Sequence, residues 1–317
     1  MTATTNYQAG VETTAVQMAY IQETAWGVAL TGAMKRIRFT GESLTGSKSR
    51  QRPAEINANR EASAAVTTEL TAGGGVNFAL SYGTYDDILS GLFGGEWATN
   101  VLKPGTVFKS FLLEKRFGPA LFLRYPGLFW SGATLTMARG QFLSGSFTAV
   151  AKDEADFTAS ASTGGTYTAP PDTAVMDSVT GVRDIMLDGV ALAAVANNIS
   201  LTISNDGASA DYGLGAAAAQ GMRMGTFTVS GSMELYFRDF ALYQRYKGEI
   251  AGPISWKTLD AAGNAYRFTL PKGTLMNPSI VAGGPNQPVM ARYALEGNPD
   301  ATDGTLKLER IPAVVTP

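Results

Sequence analysis

The chain has 317 residues, of which 45% are apolar, only 16% are charged and 36 are glycine. Soluble domains usually carry roughly 25% charge and ~7% glycine, so this composition suits a turn-rich β protein with much of its surface committed to other protein, and it excludes wholesale disorder. With no cysteine, no histidine and a net charge of −2, disulfides, thiolate nucleophiles, iron–sulfur centres, Cys- or His-ligated zinc and Ser-His-Asp catalysis are excluded, and a basic grip on nucleic acid is disfavoured.

Carboxylate-only chemistry remains open, and the length fits two domains of ~150 residues. Residues 1–33 are rich in Thr and Ala, carry Glu12 and Glu23, and are expected to form an extended or partly helical arm that packs poorly in a lone monomer. The N-terminus lacks a basic stretch followed by an apolar core, so no secretory signal is expected. No apolar run reaches the ~18 residues that cross a membrane as a helix, so no membrane insertion is expected.

A first β domain is expected over 34–151. "MKRIRFTGESL" interleaves Lys35, Ile37 and Phe39 with Arg36 and Arg38, and "SKSRQRPAEINANREASAAV" reads as a long basic loop. In "AGGGVNFALSYG" the alternation of Val76, Phe78, Leu80 and Tyr82 marks a strand. "TYDDILSGLFGG" changes period to a short helix, with Thr84 as the expected cap, Tyr85, Ile88, Leu89 and Leu92 on one stripe, and Gly94-Gly95 as the stop. Strands follow in "TVFKSFLLEKRF", "ALFLRY", "ATLTMA" and "GSFTAVA". Residues 152–178, beginning "KDEADFTASASTGG", read as a linker or insertion.

A second β domain is expected over 179–317 with the same order: strand "NNISLTISNDG", Gly/Ala-rich loop, strand "MGTFTVSGSMELYF", and a short helix in "RDFALYQRYKG" capped by Asp239. A hairpin then turns at Gly263-Asn264, and "GTLKLERI" closes the chain. At an offset of 155 residues Phe78 aligns with Met233 and Tyr82 with Phe237. Identity is low, but the ordered set predicts a tandem duplication.

No motif carries catalysis. Asp86 and Asp87 sit where a helix N-terminus favours negative charge, "KDEAD" at 152–156 lies in the linker, and "DGASAD" at 206–211 lacks the alternation and terminal Glu of an EF-hand loop. No catalytic, cofactor-binding or metal residue is therefore assigned. Charge is segregated: Lys35, Arg36, Arg38, Lys48, Arg50, Arg52 and Arg60 oppose Glu42 and Glu55, while Asp172, Asp177, Asp184, Asp188, Asp206 and Asp211 oppose Arg183. Three readings stand: solvated loops, a nucleic-acid site, or complementary surfaces that steer identical subunits into register. Trp97, Trp130 and Trp256 are expected near strand ends as core or interface anchors. The polar strand positions are Ser, Thr, Gly and Asn, an edge-pairing hazard for a monomer but suited to strands completed by neighbours.

"RFTGESLTGSKSRQRPAEI" running into "GGGVNFALSYGTYDDILSGLFGGEW", with "FTLPKGTLMNPSIVAGGPNQPVMARYALEG" near the end, resembles the major tail tube proteins of long-tailed bacteriophages, of the duplicated-domain type. The resemblance covers about 35–151 and 180–315. It implies a mainly β fold with two tandem β-sandwich or barrel domains, each with a short flanking helix (84–93 and 239–246) and a long inter-subunit loop (40–72 and 204–224). It also implies no enzyme activity and no cofactor.

The implied role is a structural subunit of a virion tail, assembled in the host cytoplasm, whose rings stack around a channel for DNA during infection. Partners would be further copies of the chain, as a homotrimer in preference to a homohexamer, together with tape-measure and tail-end proteins. Six domains giving four strands each would make a barrel of about 24 strands, with a backbone diameter near ~48 Å that clears passing double-stranded DNA. A carbohydrate-binding or host-recognition β-domain and another shell-forming protein are the alternatives.

Overall fold

The computed structural model describes residues 10–28 and 30–314. The chain opens with β1 (Val16–Gln22) and β2 (Gly32–Arg36). It continues through β3 (Gly41–Glu42), β4 (Thr45–Gln51), β5 (Val66–Ala79), α1 (Asp86–Phe93), β6 (Val101–Leu102), β7 (Phe111–Phe117), β8 (Phe122–Ala138) and β9 (Ser144–Ala151). The middle of the chain carries β10 (Ala155–Phe157), β11 (Ser162–Thr168), β12 (Val182–Leu187) and β13 (Val190–Ala191). Then come β14 (Ala196–Asp206), β15 (Ser209–Asp211), β16 (Gly221–Arg223), β17 (Thr226–Tyr236), α2 (Ala241–Lys247), β18 (Gly252–Leu259), β19 (Ala265–Val281), β20 (Met290–Asn298) and β21 (Lys307–Ile311).

Two 17-residue strands organise the molecule, and each changes partners along its length. The first part of β8 lies between β7 and β10, and its second part between β9 and β14. Likewise β19 begins between β18 and β21 and ends beside β20. A proline stands near each change of partner, Pro126 and Pro271. Proline cannot donate to a ladder, so it is tolerated where hydrogen bonding passes from one sheet to another. At the first bend Gly127 takes φ +63°, a left-handed conformation that glycine adopts without strain. The expected strands "ALFLRY" and "ATLTMA" are parts of one continuous strand that runs through Pro126-Gly127.

The remaining pairings also recur. β5 pairs with β4 and β9 as β17 pairs with β14 and β20, and β7 carries β1 as β18 carries β12. Each half places its helix directly after the β5 or β17 strand. The seam β8–β14 joins the halves, giving one antiparallel run β4-β5-β9-β8-β14-β17-β20-β19, four strands from each half. One apolar core spans both halves, from Phe78, Trp130 and Phe147 to Ile199, Met233 and Trp256.

Several expectations change. The described part of the N-terminal arm is not loosely packed: β1 pairs along β7, and Met18, Ala19 and Tyr20 are buried. Its strand signal is hidden because neighbouring residues are buried on both faces, which erases the alternation. Residues 1–9 of that arm lie outside the described residues. The basic segment after Leu44 is a strand up to Gln51, so the loop shrinks to 52–65. Trp130 and Trp256 lie inside strands and are fully buried, not at strand ends. Within residues 152–178, β10 pairs antiparallel with β8, β11 runs parallel to β2, and Met176 is buried.

Candidate assembly surfaces

On the face of the eight-strand run turned away from the core, two successive rows are almost free of charge. One row across the strands reads Asn77, Ser146, Thr134, Thr202, Ser230, Glu296, Thr274. The next reads Ser144, Thr136, Ser200, Ser232, Ala294, Met276. These side chains are exposed or half-buried, while the alternate residues Phe78, Phe147, Leu135, Leu201 and Met233 go into the core. The period-2 geometry of strands therefore separates a hydroxyl carpet from an apolar interior. Glu296 is the one charge in these two rows, and next to them Glu234 stands opposite Arg292. The Ser200 and Ser232 hydroxyls bond to each other at 2.8 Å.

Two carboxylates expected to favour a helix N-terminus hold distant segments together. Asp86 accepts from Arg310 Nη1 at 2.6 Å and from the Tyr266 hydroxyl at 2.5 Å. Asp87 accepts from Lys35 Nζ at 2.5 Å and the Tyr20 hydroxyl at 3.0 Å. Burial, reinforced by these carboxylates, pushes the Tyr20 and Tyr266 phenols well above the ordinary tyrosine range. Thr84 does not cap: its hydroxyl bonds to Ser81 at 2.7 Å, and the helix starts at Asp86. Asp239 does not hold the N-cap position of α2, which is Phe240; its carboxylate stands one residue earlier and accepts from Ala241 N at 2.9 Å in a local turn.

Buried carboxylates missed in the sequence brace the bend of β8 and the middle segment. Glu23 accepts from Gly127 N, Gly27 N and the Ser110 hydroxyl at 2.8, 2.9 and 2.7 Å. Glu114 accepts from Arg124, Ala161 N, Ser160 and Tyr167. Burying a charge costs stability unless it is paired and hydrogen-bonded, and both groups are. Nothing in the one-dimensional pattern marks either residue, because their donors come from remote segments.

Much of the segregated charge closes within the chain. Lys35 pairs with Asp87, Arg36 lies over the Tyr167 ring, and Arg38 donates to Thr173 O. Arg50 and Arg52 donate to Ala65 O and Ser63 O across their own hairpin. Among the acids, Asp184 pairs with Lys257, Asp188 with Arg245 and Asp211 with Arg223, while Asp177 accepts from Val179 N, Thr180 N and the Thr180 hydroxyl, which holds its carboxyl below the usual range. No group of three or more potential metal ligands exists among the described residues.

The two long loops behave differently. The loop after β14 folds onto the first half, with Leu70 N donating to Ala217 O at 2.8 Å, and the strands beside it follow: Asn205 Nδ2 of β14 donates to Leu92 O at 2.9 Å, and Phe227 of β17 packs on Phe93 at 5.1 Å. The 52–65 tip instead projects, with Ile56 fully exposed. The tryptophans offer no sugar platform, since Trp26 and Trp97 are half-buried and donate to Gly127 O and Asp86 O.

No curated protein matches the chain significantly. The profile of the family described as phage tail tube protein matches residues 13–297, nearly the whole chain, and that family is structural and non-catalytic. A match over that span places the chain: it belongs to the phage tail tube protein family.

Proposed function

We propose that this chain is the ring-forming subunit of a tail tube, that three copies make a pseudo-six-fold ring, and that stacked rings enclose a channel for DNA. The observation that carries this reading is the hydroxyl-lined face of the eight-strand run, four strands from each half. Three such runs would supply about 24 strands. At a spacing of ~4.8 Å and a tilt of ~40° they close to a diameter near ~48 Å.

A channel wall for a polyanion must not hold it. Affinity for DNA comes mainly from cations that displace counterions, and the two rows contain no cation. Ring closure would also cover sheet edges that are a liability in a lone chain. The recurrence of pairings supports two tandem units, 16–157 and 182–311, the first of which takes in β1 of the N-terminal arm and β10 of the 152–178 segment. The projecting 52–65 hairpin is placed to reach a neighbouring chain or ring, and the tape-measure and tail-end proteins are the expected further partners in the virion.

Negative-stain microscopy of the purified chain, with rotational symmetry counted on end-on views, tests this reading. Three chains per ring is the expected result. Six chains per ring would remove the pseudo-six-fold assignment but leave the tube role, and a chain that stays monomeric at high concentration would contradict both.

A further inference from the structure

Among the described residues the eight-strand run has one internal seam and two free edges. At the seam, Thr134 faces Thr202, Ala133 faces Ile203 and Gly132 faces Ser204. One free edge is Gly41–Gly46, ahead of β5; the other is the last part of β19. Because the halves share their pairing scheme, the seam can be transferred onto these edges residue by residue.

The transfer is over-determined. Asn77 faces Gly41 and Gly73 faces Thr45, while Ser232 faces Ser200 and Thr228 faces Ser204. Both ends of the ladder give the same spacing, so Thr45 occupies the place of Ser204. On the other side Thr148 joins Gly75 to Gly132 as Glu296 joins Ser230 to Thr274. Thr274 therefore occupies the place of Gly132, and the facing pair Gly132–Ser204 becomes Thr274 against Thr45 of another copy.

The free edges carry guards that the seam lacks. Along Gly41–Gly46 the N–H groups alternate in direction, and Ser43 N donates inward to Gly75 O. The outward N–H of Leu44 is taken by Glu42 Oε2 at 2.8 Å, and that of Gly46 by Glu154 Oε2 at 2.9 Å. Lys115 fixes the first cap, reaching Glu42 at 2.9 Å and Leu44 O at 3.0 Å, and the Tyr125 hydroxyl fixes the second at 2.5 Å. At the seam the place of Glu42 is held by Leu201, buried against the core. The β19 edge is interrupted by a bulge at Asn277-Pro278, where Asn277 takes φ +45°. Side-chain caps, bulges and prolines are the usual means of keeping an edge from pairing prematurely.

We infer that Gly41–Gly46 is the docking edge for the β19 edge of a second copy of this chain, in the register of the internal seam, and that docking displaces the Glu42 and Glu154 caps. The inference rests on the ring reading above. The junction is heterologous, so it closes a ring when the rotation per copy divides the circle. The caps delay the contact without forbidding it, because each displaced side-chain bond is replaced by a backbone carbonyl of the neighbour.

The absence of cysteine makes the register directly testable. Thr45 and Thr274 would form a non-hydrogen-bonded pair, whose Cα atoms approach to ~4.5 Å, within disulfide range. The double variant Thr45→Cys/Thr274→Cys is oxidised after assembly and run on a denaturing gel, with Thr134→Cys/Thr202→Cys as the seam control. A chain-to-chain ladder is expected for the first and an intra-chain bond only for the second. Tubes that form without the ladder would overturn the edge assignment and leave the tube reading standing; a monomer that cross-links nothing overturns both. Glu154→Ala, with circular dichroism as the folding control, is expected to raise the initial assembly rate about 2- to 10-fold, and Glu154→Gln, which keeps an acceptor, to restore the slower rate. Equal rates in a folded Ala variant would overturn the guarding role.

Discussion

Asp86 at the start of α1 and Arg310 near the end of β21 are 224 residues apart in sequence and 2.6 Å apart in space. Arg310 also lies over the Trp97 ring at 4.1 Å and donates to Thr99 O at 2.9 Å. The contact fastens the last strand of the chain to the helix of the first half. Its two side chains are largely but not wholly buried, so screening by solvent is partial.

Arg310→Ala leaves that carboxylate without its cation and is expected to lower the unfolding free energy by about 1.5–3 kcal/mol. Asp86→Asn, which keeps an acceptor for Tyr266, is expected to cost less. Urea unfolding of both single variants and the double variant should give a coupling of at least ~0.5 kcal/mol. Additive losses would show that the pair is incidental.

Trp130 and Phe147 pack edge to face at 5.7 Å in the core behind the hydroxyl face. Phe147→Ala is expected to cost about 3–5 kcal/mol through lost burial and the cavity left behind. Thr148→Ala, one residue along and on the exposed face, should change stability by no more than ~0.5 kcal/mol. Thermal unfolding of the two variants measures the contrast, and equal losses would mean that the sheet faces are misassigned.

High pH should weaken the fold before it affects chemistry elsewhere. Burial pushes Tyr20, Tyr125 and Tyr266 far above the ordinary phenol value of ~10, and pushes Tyr85 up to about 12. Only the protonated ring suits these sites, so their contribution is complete below pH ~10 and is lost as pH rises above it, where the unfolded chain ionises first. Melting temperature is expected to fall from pH 9 to about 11.5, with phenolate absorbance appearing at the unfolding transition. Phenolate absorbance from these residues in a still-folded chain would contradict this.

Much of the architecture is legible in the sequence. Phe78 and Met233 are buried at the same place in equivalent strands, and α1 and α2 begin at the same spacing after them. Asp239 stands beside the start of its helix, one residue before the N-cap Phe240. What the sequence hides are the long-range partners. Glu23, Glu114 and Glu154 look like surface acids because their hydrogen-bond donors come from other segments. Likewise "ALFLRY" and "ATLTMA" read as separate strands unless the change of strand partners is known. The hydroxyl face was visible as a Ser/Thr excess, but its continuity across the seam depends on the register of β8 against β14.

The hydroxyl face itself is open to a gain-of-function test. Thr134→Lys with Thr202→Lys puts two adjacent cations on exposed or half-buried positions of one row, at little cost to folding. Assembled tubes of this variant should retain DNA at low salt and release it as salt rises, whereas the parent tubes should not. Fluorescence anisotropy of a labelled duplex reads the difference. Equal retention by both would show that this row does not meet the DNA.

Cryo-electron microscopy of the assembled tube tests the central claim most directly. Thr134, Thr202 and Ser230 are expected to point toward the tube axis around an open channel, with three chains per ring and the seam geometry repeated between chains. A tube whose channel is lined by other elements, with this face turned outward or buried against a neighbour, would contradict it.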